Sequence, residues 1–117
     1  MYSLVDENYK YIIKPQSTYA LEGGDLDNDF LYAMNTDSMY GVVDLQLNTI
    51  IKFQPYKILN TFYLDGTLYA EILMGTTNNK QRTALIKKDG SIIKACKNRT
   101  IIQYRNKRMQ ICNVQDN

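Results

Sequence analysis

Histidine and tryptophan are absent from this 117-residue chain, which has only two cysteines and two prolines. The missing histidine removes imidazole acid–base catalysis, Ser-His-Asp triads and most zinc sites in one step. Two cysteines, Cys96 and Cys112, do not make a disulfide framework. They are expected to be ordinary half-buried thiols in a reducing, cytoplasmic setting. No apolar run approaches the roughly 20 residues that a membrane span needs. The first ten residues lack a basic n-region and an apolar h-region, so no signal peptide is expected. No phosphate-cradling glycine motif is present. Glu7, Glu22 and Glu71 have no obvious partner at catalytic spacing. These absences together predict a protein that is not an enzyme and holds no cofactor and no metal.

What the chain does contain is repetition. Ile-Ile-Lys occurs at Ile12-Ile13-Lys14, Ile50-Ile51-Lys52 and Ile92-Ile93-Lys94, with spacings of 38 and 42 residues. The matches extend upstream: an apolar pair (Leu4-Val5, Val42-Val43, Leu85-Ile86), a polar stretch, then the second apolar pair. A period in this range signals a repeat architecture. In the third copy the polar stretch holds Asp89-Gly90, a hairpin-turn signal because glycine accepts the positive φ that such turns require. A third strand follows at Phe30–Ala33 in unit one and at Leu68–Met74 in unit two, which share Leu-Tyr-Ala. Unit three places Met109–Cys112 there. In the second of these, Leu68, Ala70, Ile72 and Met74 alternate with Tyr69 and Glu71, which puts the apolar residues on one face.

No segment argues for a long helix. Tyr56 to Leu64 is rich in β-branched and aromatic residues and suits a strand. Loops are expected over Gln16–Asp29, at Asp65-Gly66 and over Gly75–Gln81. The expectation is an all-β fold: an antiparallel meander of about nine short strands in three tandem repeats (about 2–39, 40–82 and 83–114) within a single domain.

Tyr40-Gly41-Val42-Val43-Asp44, then Ile50-Ile51, Pro55-Tyr56, Asp65-Gly66 and Leu68-Tyr69-Ala70 run in the order of a known pattern. The chain resembles the WG-repeat family, bacterial tandem β-repeats named for a Trp-Gly pair at the start of each unit. Here Tyr2 and Tyr40 stand in the Trp place, and Thr83 does in unit three. The resemblance covers roughly residues 2 to 112 and implies short antiparallel strands and a non-catalytic binding role.

Charge is distributed unevenly. Residues 1–50 hold eight acidic and two basic side chains, a net of −6; residues 51–117 hold four and twelve, a net of +8. Such asymmetry points to polyanion binding or charge-steered association. Two candidate surfaces follow. The first is the acidic loop with Glu22, Asp25, Asp27 and Asp29, a protein-contacting tip. It departs from a calcium loop, because Phe30 stands at the sixth position, where Gly is required, and Thr36 at the twelfth, where Glu is. The second is the basic region of Lys80, Arg82, Lys87, Lys88, Lys94, Lys97, Arg99, Arg105, Lys107 and Arg108, with Tyr104 available to stack on a base. Strand alternation would split these charges between faces. A protein partner leads; nucleic acid bound through the basic half, or inhibition of a host nuclease by the acidic surface as in a small phage protein, are the alternatives. Heavy use of Asn, Ile, Lys and Tyr fits the AT-rich genome of a low-GC bacterium or its phage. Opposite charge at the two ends also favours head-to-tail contact between copies.

Overall fold

The computed structural model describes the backbone of residues 1–78 and 80–115, and their side chains except at 77, 97–104, 107–108 and 110–115. Eleven strands are present: β1 (Tyr2–Val5), β2 (Tyr11–Gln16), β3 (Ala20–Asp25), β4 (Phe30–Met34), β5 (Tyr40–Val43), β6 (Thr49–Gln54), β7 (Lys57–Leu64), β8 (Thr67–Thr77), β9 (Lys80–Ile86), β10 (Ile92–Tyr104) and β11 (Lys107–Gln115). A single 3₁₀ turn, Leu26–Asn28, is the one helical element among the described residues. All pairings are antiparallel, and they make three sheets: β1-β2, β3-β4-β5-β6 and β11-β10-β9-β8-β7.

The repeat is visible in the register. In the first hairpin Tyr2 faces Gln16, Leu4 faces Ile13 and Val5 faces Tyr11; in the second Tyr40 faces Gln54, Val42 faces Ile51 and Val43 faces Thr49. Each pair is displaced by 38 residues, irregularities included. The turns repeat too. Asp6 Oδ1 accepts the N–H groups of Asn8 and Lys10, and Asp44 Oδ1 those of Gln46 and Asn48, all at 2.8–3.0 Å. Asn35 Oδ1 makes the same pair of bonds to Asp37 and Met39 in the β4–β5 turn. The fourth residue of each such turn takes a positive φ: Tyr9 61°, Ser38 59°, Leu47 66°, and Gly90 85° in the third hairpin. These are side-chain-capped turns in which a short polar residue substitutes for a backbone acceptor.

A glutamine ends each of the first two hairpins and sends the chain to a new sheet. Gln16 Nε2 donates to the Tyr2 carbonyl at 3.1 Å and to the Tyr19 carbonyl at 2.9 Å, while its Oε1 accepts from the Tyr19 N–H at 2.9 Å. Gln54 makes the same three bonds to Tyr40 and Tyr56. One amide thus satisfies groups on the hairpin and on the linker that leaves it, which pins the direction of departure. In unit three the place of Gln54, 42 residues on, is Cys96, which faces Thr83 as Gln54 faces Tyr40. There the chain does not leave the sheet; β10 continues and β11 pairs with it.

The second sheet is buried on both faces. Leu31, Ala33 and Val43 pack with Ile13 and Leu4 of the first sheet, whereas Phe30, Tyr32 and Val42 pack with Ile58, Ala70, Ile72 and Ile86 of the third. Successive residues of β4 therefore enter different cores, as a strand's period of two requires. Gly41 allows one of these contacts: a Cβ there would lie 2.8 Å from the Phe53 ring, which stacks on Tyr19 at 5.3 Å. Between the second and third sheets, Tyr32 and Thr61 share a hydrogen bond of 3.0 Å, and the Lys52 N–H donates to the Lys88 carbonyl at 2.8 Å.

The all-β antiparallel expectation holds, with eleven strands among the described residues rather than about nine. Two expected loops contract. Gln16–Asp29 contains β3 and the 3₁₀ turn, and Gly75–Gln81 is mostly strand, β8 running to Thr77 and β9 starting at Lys80. The β3 sequence, Ala-Leu-Glu-Gly-Gly-Asp, has poor strand propensity. It forms because it is an edge strand held by β4 alone, with little to bury. Leu68, Ala70, Ile72 and Met74 do share the core-facing side of β8.

Replacing Gln54, 8 % exposed, with Leu leaves Tyr40 O and Tyr56 N and O without their bonds. Urea denaturation is expected to show a loss of about 1–3 kcal/mol. Gln16→Leu, at a more exposed site, should cost less.

Candidate interaction surfaces

Strand alternation sorts the loops to two ends. The β1–β2, β3–β4, β5–β6, β7–β8 and β9–β10 turns lie at one, which we term the turn end; the glutamine linkers and the β4–β5 and β8–β9 turns lie at the other. Phe30 and Tyr63, which flank turns of the second and third sheets, have ring centroids 6.3 Å apart, so the turn ends of these sheets coincide. Eight of the twelve acidic residues belong to the turn end: Asp6, Glu7, Asp25, Asp27, Asp29, Asp44, Asp65 and Asp89.

The predicted acidic group is only partly assembled. Asp25, half-buried at the end of β3, accepts a 2.8 Å hydrogen bond from Asn28 Nδ2; Asp27 and Asp29 are exposed in and after the 3₁₀ turn. Glu22 sits apart on the exposed edge strand β3. Among the described residues no three Asp, Glu or Cys side chains are grouped to hold a metal ion.

The predicted basic group is divided. Lys87 and Lys88 lie in the β9–β10 turn, where with Asp89, Gly66, Thr67 and Leu68 they line a cleft of about 410 Å³. Lys80 opens β9 at the opposite end, about 20 Å away along a seven-residue strand. Arg82 and Lys94 are exposed on β9 and β10, and Arg105 is exposed in the β10–β11 turn. The side chains of Lys97, Arg99, Tyr104, Lys107 and Arg108 lie outside the described residues. One residue differs from expectation in kind. Cys96 is 6 % exposed and disulfide-bonded rather than a free thiol, and the other cysteine, Cys112, belongs to the adjacent strand. The pairing of β10 with β11 brings these two strands side by side, which linear spacing alone does not reveal.

Among the described residues, exposed apolar side chains gather on a surface that composition does not flag: the first sheet. Tyr2, Val5, Tyr9, Tyr11 and Ile12 are all exposed there. Four of the five counterparts 38 residues later, Tyr40, Val43, Leu47 and Ile50, are less exposed, Thr49 being the exception. Val43 is fully buried, and Leu47, the counterpart of Tyr9, packs against the core between the first and second sheets. The signal available in the sequence was the repeat itself, since residues that are core in one unit and matched in another identify a face that lacks its neighbour.

No described helix is long and apolar enough to cross a membrane. Comparison with known proteins finds no matching family, no matching curated protein and no matching solved structure.

The turn carboxylates respond to pH. Backbone hydrogen bonding from Asn48, aided by its side chain and by Gln46, holds Asp44 below its ordinary value of 3.8. Hydrogen bonding from Ser91 lowers Asp89 in the same way. A depressed folded-state pKa means that the stabilisation is complete above about 3.8 and fades as pH falls through the folded-state value. Asn35 builds the same turn with no charge. Asp44→Asn should therefore keep the turn and flatten the loss of stability below about pH 4, as read by thermal unfolding across that range.

Proposed function

We propose that this chain is a non-enzymatic β-repeat module, of the kind implied by its resemblance to WG-repeat proteins, that binds another protein through the outer face and free edge of its first sheet. The observation that carries this reading is Tyr9. It holds a left-handed backbone, φ 61°, which costs a non-glycine residue roughly 1–2 kcal/mol, and its side chain is 85 % exposed. Leu47 takes the same conformation and is compensated by core packing. The capped turn holds this backbone at Tyr9 as it does at Ser38, but of the two large side chains so placed Leu47 is packed and Tyr9 is held out in solvent, which favours a contact outside the chain. Val5, the last residue of β1 and paired with Tyr11, is the counterpart of a fully buried valine. The edge of β1 adds to this: β5 and β9 are each paired on both sides, whereas β1 pairs with β2 alone among the described strands. A free strand edge with apolar side chains alongside suits strand addition, in which backbone hydrogen bonds give affinity and side-chain contacts give specificity.

A second reading is favoured by the far end of the molecule. The outer part of the β10–β11 hairpin is a two-stranded ribbon in a basic segment, and such a ribbon fits the roughly 12 Å major groove of duplex DNA. Affinity that falls steeply with salt would mark this mode.

Tyr9→Gly separates function from folding. Removing the strained side chain should leave thermal stability unchanged or raise it by up to about 1 kcal/mol. In affinity capture, proteins retained by the wild type should be lost with the variant. Equal retention by both proteins would sink the assignment of this surface.

A further inference from the structure

The three sheets contain two, four and five strands, and the two-stranded one is complete on neither its edge nor its outer face. A second two-stranded element stands at the other end of the chain. β9 pairs with β10 only as far as Arg99 opposite Gln81, whereas β10 and β11 continue to pair from Thr100–Ile111 through to Tyr104–Lys107. Beyond Arg99 the hairpin is therefore an arm of two strands, five residues deep on β10, reaching roughly 15 Å past the last paired residue of β9. Isolated pairs of strands are marginal in water and need further strands or a packed face.

We propose that the occupant of the first sheet's free edge is the β10–β11 arm of a second copy of this chain, which converts two strands into four. This rests on the binding reading given above and names its partner. Three observations carry it. The strand count matches, since two strands from the arm and two from the first sheet give the four-stranded arrangement that the second sheet already has. The charges at the free edge are complementary: residues 99–115 include Arg99, Arg105, Lys107 and Arg108 and no acidic residue, whereas β1 and the start of the turn after it hold Asp6 and Glu7 and no lysine or arginine, Lys10 and Lys14 lying towards and on β2. Apolar surface is exposed on both, at Val5, Tyr9 and Tyr11 on the sheet and at Met109 on the arm. Each copy supplies one arm and one open sheet, so the contact is closed by a reciprocal pair or a ring. Exchange of arms removes two exposed edges per contact.

Size exclusion with light scattering tests this on the full chain. The wild type is expected to associate in low salt and to dissociate as salt is raised. Val5→Lys places a charge in the apolar contact, and the double variant Lys107→Glu/Arg108→Glu reverses the arm. Each alone should be monomeric with an unchanged unfolding transition, and a mixture of the two should regain a one-to-one complex through the single intact pair of surfaces. If Val5→Lys lowers the melting temperature, Tyr9→Gly replaces it, because that change relieves backbone strain. A wild type that stays monomeric in low salt at its highest soluble concentration overturns the proposal, as does association that persists in either variant. A monomer that still retains a different protein through Tyr9 leaves the broader binding reading standing and removes only self-association. A monomer whose arm residues are needed to shift duplex DNA assigns the arm to nucleic acid instead.

Discussion

Everything in this fold turns on an amide at the end of a hairpin. A β-meander left to itself continues in one sheet, since each new strand adds most easily beside the last. Gln16 and Gln54 prevent that by bonding at once to the strand before and to the linker after, so that the departing backbone finds its hydrogen bonds only when it leaves the plane. Stacked sheets, two separate cores and the double-faced burial of the second sheet all follow from two side chains. Unit three supplies the control within the same molecule. Where Cys96 stands in the glutamine's place, the strand runs on and the sheet widens.

The strands were legible because burial imposes a period on them. The alternation in β8 assigns its residues face by face, and the three Ile-Ile-Lys copies mark three hairpins. The turn chemistry of Asp44 and Asn35 was less legible, because an acceptor that caps a turn looks in sequence like any surface carboxylate or amide. β3 was missed since an exposed edge strand needs no apolar alternation, and its two glycines read as loop. The sheet breaks escaped notice for a different reason. A glutamine bridging two segments carries no periodic signature, and its role appears only when Tyr2 and Tyr19, or Tyr40 and Tyr56, are seen on either side of it.

The charged groups show where one-dimensional reasoning fails. Composition divides the chain into an acidic half and a basic half, yet the antiparallel order re-sorts these residues by which end of a strand they occupy. Asp65 and Asp89, from the basic half, join the acidic turns, and Lys80 and Lys87 part company although only seven residues separate them. A charge run in a β-protein is therefore a statement about the two ends of a sheet. The exposed apolar face of the first sheet, in contrast, was implicit in the repeat all along, because each unit reports the burial that its equivalents ought to have.

The three sheets differ in how many of their faces are covered, and this sets a hierarchy of motion along the chain. β5 lies in the middle, paired on both edges, with Val42 and Val43 fully enclosed on opposite faces. Its amides should exchange with solvent deuterium only through opening of most of the molecule. β1 and β2 hold one edge and one face between them, so they open at far lower cost. The native state is thus a graded one: a slow interior flanked by a readily fraying pair of strands, in which a segment rich in solvent-exposed apolar side chains is also the one most often out of its resting geometry.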